Sequence, residues 1–316
     1  MGSFKLKRLY GQLMSPVPNH SWESQAVFNP GTVREGDDIH LLYRAVEGQN
    51  YSTIGYAKLN ADGQIVERLD QPVIVPESPI EVQGCEDPRI NFFEGKYYIF
   101  YTGFDGADLT RSANTRVMLA ETTDFKHYTK LGMIGPDDQD KDAMIFPEKI
   151  NNKVYFIHRI APNIQIALFD SMEHLRCPEK DYWVDHLDHL DQHTLMCRQF
   201  SWESMKVGAG PPPFKTEAGW IFVYHGVDSD KVYRAGIALL DLKNPFKIIA
   251  RLPYPVLEPE TEYEKFGDVN NVVFPEGIAV FDDRFLVFYG AADKVIGVAS
   301  GKISDLLEEL WRNKVL

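Results

Sequence analysis

Long apolar runs are missing from this chain of 316 residues. No stretch approaches the roughly 18 consecutive apolar residues of a membrane-spanning helix, and the opening MGSFKLKRLYGQLMSPVPNHSW has no apolar block of leader length. The expected location is the cytoplasm. Cysteine is scarce: Cys85, Cys177 and Cys197 are too few and too scattered for a disulfide framework or a paired-cysteine metal site, which agrees with a reducing compartment. Positive charge is in deficit, with a net charge of −13, which argues against nucleic acid or an anionic membrane as partner. Any anion site must then be a local basic cluster inside an acidic shell. The glycine-rich VGAGPPP lacks the Gly-Lys-Ser/Thr ending and following helix of a phosphate loop, so no nucleotide is expected. DHLDHLDQH sets His186, His189 and His193 at a spacing that could gather a metal on a helix. That stretch lies in a polar insertion, and a solvated helix or lid is the preferred reading. Neither metal nor cofactor is expected.

What the chain has in quantity is repetition. Five segments, REGDDIHLLYRAV, FEGKYYIFYTGF, INNKVYFIHRI, EAGWIFVYHGV and FDDRFLVFYGAAD, each place a polar turn before a run of strand formers. Their late aromatic or imidazole positions, Tyr43, Tyr101, His158, Tyr224 and Tyr289, recur every 57 to 66 residues. A proline motif precedes each one: FNPG, EDPR, FPEK, GPPP and FPEG. A further strand of small and β-branched residues follows each. About 60 residues with several strands is one four-stranded blade, so the chain reads as a single all-β domain over 1–316, a five-bladed β-propeller. The exception is ISDLLEELWRNKVL, an amphipathic C-terminal helix with Ser304 or Asp305 as candidate cap.

A propeller brings equivalent positions of its blades around one central funnel. The proline motifs would contribute Asn29, Glu86, Asp87, Arg89, Glu148, Lys149 and Glu276, and the inner-strand ends Arg44, His158, Arg159, His225 and Asp293. Charges beside apolar strand ends in every blade need partners or a ligand, and a ligand-binding funnel is the reading.

The ordered motifs GCEDPRI, FPEKI, WESMKVGAGPPPFKTEAGW, YHGV, YRAGIALLDL, NVVFPEG and YGAAD resemble glycoside hydrolase family 130, the β-mannoside phosphorylases and β-mannosidases. The resemblance runs from about Asn29 to Asp293 and itself implies a five-bladed propeller. It implies Asp87 as general acid, acting through a substrate hydroxyl; Arg116, Lys206, His225 and Tyr233 as phosphate ligands; and Asn29, Arg44, Glu86, Arg89 and Asp293 around the mannosyl unit. Arg111 competes with Arg116 for its role, because GFDGADLTRSANTRV is longer than the usual connection. Glu203 stands where many relatives have Asp. The implied reaction is reversible, inverting phosphorolysis of a non-reducing-end β-mannoside, β-1,2 favoured over β-1,4, to α-mannose 1-phosphate. Inorganic phosphate is the co-substrate, and a mannosyl disaccharide or oligosaccharide the partner. A hydrolase would need a carboxylate base where the phosphorylase needs cations. A non-catalytic glycan-binding propeller is the reading from another class. Acceptor, chain length and self-association into a homo-oligomer stay open.

Overall fold

The computed structural model describes residues 3–106 and 114–315; Arg111 lies outside the described residues. The chain is mostly β with few helices. Strand pairing repeats one theme, an antiparallel meander in which each strand hydrogen-bonds to the next. Strands Ala26–Glu35, Asp38–Glu47, Tyr51–Leu59 and Ile65–Arg68 form the first meander. Gly84–Phe93, Lys96–Phe104, Thr115–Thr122 and Thr129–Met133 form the second, joined to the first by a single parallel pair, Ser52 with Gly84. The third runs from Lys141–Ile145 through Val154–Arg159 and Ile164–Phe169 to Thr194–Met196. The fourth is built on Lys206–Ala209, Gly219–Val227, Tyr233–Leu240 and Ile248–Arg251, with Phe214–Thr216 as an extra edge. The last joins Val273–Phe281, Arg284–Ala291 and Val295–Lys302 to the N-terminal Lys7–Arg8.

The hairpins follow from local chemistry. Glycine or Asn/Asp residues at positive φ, such as Gly36, Gly95, Asn151 with Asn152, and Asp282, let the chain reverse between the first two strands of a meander. The first strands pack side by side from the first meander to the fourth, the second and third strands of the fourth meet the first strand of the last, and that strand lies against the first strand of the first meander. Apolar clusters fill the space between successive sheets, with Tyr43, Tyr224, Trp220 and Tyr289 fully buried. The C-terminal helix, Ile303–Arg312, buries Leu306 and Leu310 against this core. Its cap differs from the expectation: the Asp283 carboxylate, from a neighbouring hairpin, accepts from the backbone and hydroxyl of Ser304.

One polar device recurs. In the first meander Glu23, fully buried, accepts from Tyr43 Oη at 2.7 Å and Arg68 Nη2 at 2.6 Å. In the second, Glu81 accepts from Tyr101 and Lys130. In the fourth, Glu203 is held by both oxygens to Arg251, whose Nε also donates to Tyr224. In the last, Glu264 accepts from Tyr289 and from Arg8 of the N-terminal strand. Each glutamate sits in a short helix before a meander, or just after its entry, and three of them also take backbone N–H groups at that helix start. A buried charge is tolerated only when paired and hydrogen-bonded, so each set pins outer strand, second strand and entry helix together. The four tyrosines are the repeat positions seen in the sequence.

Candidate active site

A β-bulge occurs at a matching place in four first strands. Register slips between Phe28 and Pro30, Glu86 and Arg89, Lys141 and Met144, and Pro275 and Gly277. The extra residues include Asn29, Asp87, Asp142 and Glu276, and the first three have positive φ of 48°, 51° and 55°. A bulge leaves a residue unpaired in the ladder and re-aims its side chain, and backbone strain of this kind is held in place only by its surroundings. All four side chains are buried.

These four and their neighbours form one continuous network. Asn29 Nδ2 donates to Asp87 Oδ1 at 2.9 Å, and Arg44 Nη1 lies 3.6 Å from the same oxygen. Arg44 also grips Glu86 at 2.7 Å and Ser52 at 2.9 Å. Arg89 is the central pin: it donates to the carbonyls of Ala209 and Gly210 and pairs with Asp142 at 3.3 Å and Glu276 at 3.4 Å. Asp142 in turn meets Arg159 at 2.5 Å and His225 at 3.8 Å. Gly208 makes that approach possible, because a β-carbon there would stand 2.4 Å from His225 Nε2 and 2.5 Å from Asp142 Oδ2.

Protonation divides this network. Burial pushes Asp293 up to about 6, with Arg44 opposing and Asp87 adding. Burial likewise raises Glu86 and Glu276, against Arg44 and Arg89 respectively. Three carboxyls with raised proton affinity thus lie near Asp87, whose charge contributes to each shift. Asp142 behaves oppositely: Arg159 and Arg89 outweigh its burial and hold it well below the usual carboxylate range. Burial drives Lys206 down to about 8, and Arg159 and Lys141 push the same way. His225 is kept neutral by burial, reinforced by Arg159 and Lys206. Lys206 lies 5.1 Å above the Tyr233 ring, and His225, Tyr233 and Phe274 form a triangle of mutually contacting rings. Among the described residues neither Lys206 nor Lys141 has a carboxylate within ion-pair distance.

Several expectations change. Arg116 is bound to Asp137 at 2.7 Å and to the Thr115 carbonyl, and among the described residues no hydrogen bond or ion pair joins it to Lys206, His225 or Tyr233. The cations beside Lys206 are Arg159 and Lys141. Glu148 and Lys149 do not reach the network; they form outward ion pairs with Lys215 and Glu94. The reason is register: the third meander's bulge falls at Asp142, so KDAM and not FPEK is the counterpart of EDPR. His158 is also absent from the network, being bonded to Asp140 and His186. The insertion does form a helix, Tyr182–Asp188, but His186 faces inward and is 2% exposed. No group of three metal-binding side chains occurs among the described residues. Lys141 and Asp142 were missed for want of a proline beside them. The Glu–Tyr–cation sets had a visible signal, SWES at both 21–24 and 201–204.

A cavity of about 560 Å³, lined by Phe28, Arg44, Asn50, Asp268 and Asp293 among others, opens onto the carboxylate side, a size ordinary for small-molecule sites. A larger one of about 800 Å³, between the N-terminal segment and the C-terminal helix, is lined by surface charges of both signs and lies apart from the network.

The sequence model of glycoside hydrolase family 130, described as beta-1,4-mannooligosaccharide phosphorylase, matches residues 10–312. This chain belongs to that family. A beta-1,2-mannobiose phosphorylase of a Thermoanaerobacter species is 42% identical over 310 residues, covering 94% of this chain and 97% of the relative. A 1,2-beta-oligomannan phosphorylase of the same source is 41% identical, covering 96% and 99%. Among solved structures, the beta-1,2-mannobiose phosphorylase of Listeria innocua, in complex with beta-1,2-mannobiose, superposes with a TM-score of 0.80 at 25% identity, covering 98% of this chain and 99% of that one.

Proposed function

We propose that this family 130 enzyme is an inverting β-mannoside phosphorylase that cleaves a β-1,2-linked mannobiose or mannooligosaccharide with inorganic phosphate, giving α-mannose 1-phosphate. The linkage rests on the two relatives above, both named for 1,2-linked substrates. The choice of phosphorolysis rests on one observation. Lys206 and Lys141, both half-buried and without carboxylate partners among the described residues, gather with Arg159 beside neutral His225. Half-buried unpaired ammonium groups call for an anion.

In this reading Asp87 supplies the proton to the leaving glycosidic oxygen, relayed by a mannosyl hydroxyl. A phosphate oxygen, held by Lys206, Arg159, Lys141, His225 and Tyr233, bonds to the anomeric carbon from the opposite face as the old C–O bond breaks. Asn29 and Arg44 orient Asp87 and, with Glu86 and Asp293, offer donors and acceptors to sugar hydroxyls. Arg89 contributes mainly by position, since its guanidinium is already engaged by three carbonyls and two carboxylates. Phosphate itself completes the chemistry, so no cofactor is called for. The five meanders are the blades of a five-bladed propeller forming one catalytic domain over 1–316; the contacts of the last meander's first strand with both the fourth meander and the first, and the N-terminal strand paired into the last sheet, support this. A cytoplasmic enzyme fits a reaction that consumes free phosphate and retains its product as a charged ester. Glu203, the base that a hydrolase reading would use, is already bound to Arg251, Tyr224 and its own helix start.

Lys206→Ala tests the anion site. Losing one charged donor typically costs about 1.5 to 3 kcal/mol, so KM for phosphate should rise roughly ten- to a hundred-fold while the mannobiose KM changes little. An unchanged phosphate KM would remove Lys206 from the site.

A further inference from the structure

The third meander departs from the other four at the place where they carry Glu, Tyr and a cation. Its equivalent of the tyrosine is His158, fully buried. His158 Nδ1 lies 2.9 Å from Asp140 Oδ2, and its Nε2 lies 3.0 Å from Nε2 of His186 on the insertion helix. His186 stacks on His193 at 4.2 Å and edges against Trp183.

Asp140 accepts, so His158 Nδ1 donates, and a single proton joins His158 Nε2 to His186 Nε2. His186 Nδ1 is a buried ring nitrogen without a hydrogen-bond partner among the described residues. Such an orphan carries a desolvation cost and calls for an explanation. A leucine at 186 would avoid the cost and fill much of the same space.

The explanation lies at the other end of the chain. Asp140 Oδ1 accepts the backbone N–H of Arg159 at 3.1 Å, and its own N–H donates to the Thr115 carbonyl. Lys141 and Arg159 are cross-strand partners, and immediately beyond them the ladder is broken by the bulge at Asp142. Asp140 therefore clamps the strand pair where ordinary pairing stops, and the residues clamped are Lys141, Asp142 and Arg159. We propose that Asp140, His158 and His186 are positioning residues for the anion site, coupling the insertion helix to the placement of Lys141 and Arg159. This rests on the reading of that cluster as the phosphate site.

Three variants test the coupling: His186→Leu, which keeps the packing and loses the bond; His186→Gln, whose amide N–H can still donate to His158; and Asp140→Asn. Small displacements of binding groups carry large kinetic penalties. His186→Leu and Asp140→Asn should each raise the phosphate KM roughly five- to thirty-fold, with the mannobiose KM within about two-fold of wild type, whereas His186→Gln should stay within about three-fold for both. Melting temperature is recorded for each, and binding of inorganic phosphate is measured by calorimetry. A leucine variant with a lowered melting temperature but an unchanged phosphate KM, in an enzyme whose turnover needs phosphate, makes the chain purely structural and overturns the proposal alone. Equal rises in both KM values also overturn it. A wild-type protein that neither binds nor uses phosphate overturns the proposal together with the functional reading beneath it.

Discussion

Asp87 owes its place to its neighbours in sequence and in space. Pro88 cannot donate to the ladder, the bulge turns Asp87 out of register at a φ of 51°, and Asn29 and Arg44 meet the carboxylate that results. Asp87→Asn preserves that shape and removes the proton. Turnover of β-1,2-mannobiose should fall by about 10²- to 10⁴-fold, with melting temperature and sugar binding close to wild type; a variant retaining more than a tenth of the activity would dismiss Asp87 as the acid. Lys206 supplies a second test through pH. Burial and the adjacent cations bring it down to about 8, so the free enzyme loses this charge as pH rises through 8. The kcat/KM for phosphate should therefore decline above about pH 8, and Lys206→Arg, which stays charged, should extend the plateau upward. The same alkaline limb in both proteins would assign it to another group.

At the scale of elements, the Glu–Tyr–cation sets separate architecture from chemistry. Glu203 adjoins the WESMK motif and invites a catalytic role on sequence grounds. Its carboxylate instead joins the outer strand of the fourth meander to the tyrosine of the second strand. Breaking a buried pair by removing one partner typically costs about 3 to 5 kcal/mol. Glu203→Gln should lower the unfolding free energy, measured by denaturant titration, by an amount of that order while leaving both KM values near wild type in the folded fraction. Loss of kcat with full stability would restore Glu203 as a candidate base. The tyrosines of these sets were legible because a repeat every 57 to 66 residues is a one-dimensional signal. Their partners were not, since Arg68, Lys130 and Arg251 reach the glutamates only once the meander has folded back. The same limit explains Lys141 and Asp142. Proline marks the bulge at Asn29, Asp87 and Glu276, whereas the third meander bulges at Asp142 without one, and its proline motif, FPEK, begins five residues after KDAM.

For the whole molecule, the sequence carried the all-β class and the recurrence of strand-rich segments that fold as antiparallel meanders. What it could not carry was which charges face one another, because that depends on the sense of each bulge and on Arg89 spanning from the second meander to the carbonyls of the fourth. The network sets the carboxyls Glu86, Asp87, Glu276 and Asp293 beside Lys141 and, through Asp142, Arg159 and Lys206, within a protein of net charge −13. Lys206 and Lys141, without carboxylate partners among the described residues, are the basis for reading phosphorolysis over hydrolysis. The most direct measurement is to incubate the enzyme with β-1,2-mannobiose, with and without inorganic phosphate, and to resolve the products by NMR. The account predicts α-mannose 1-phosphate and one equivalent of free mannose from the reducing end, formed only when phosphate is present. Two equivalents of free mannose at a rate indifferent to phosphate, with no sugar phosphate, would contradict it.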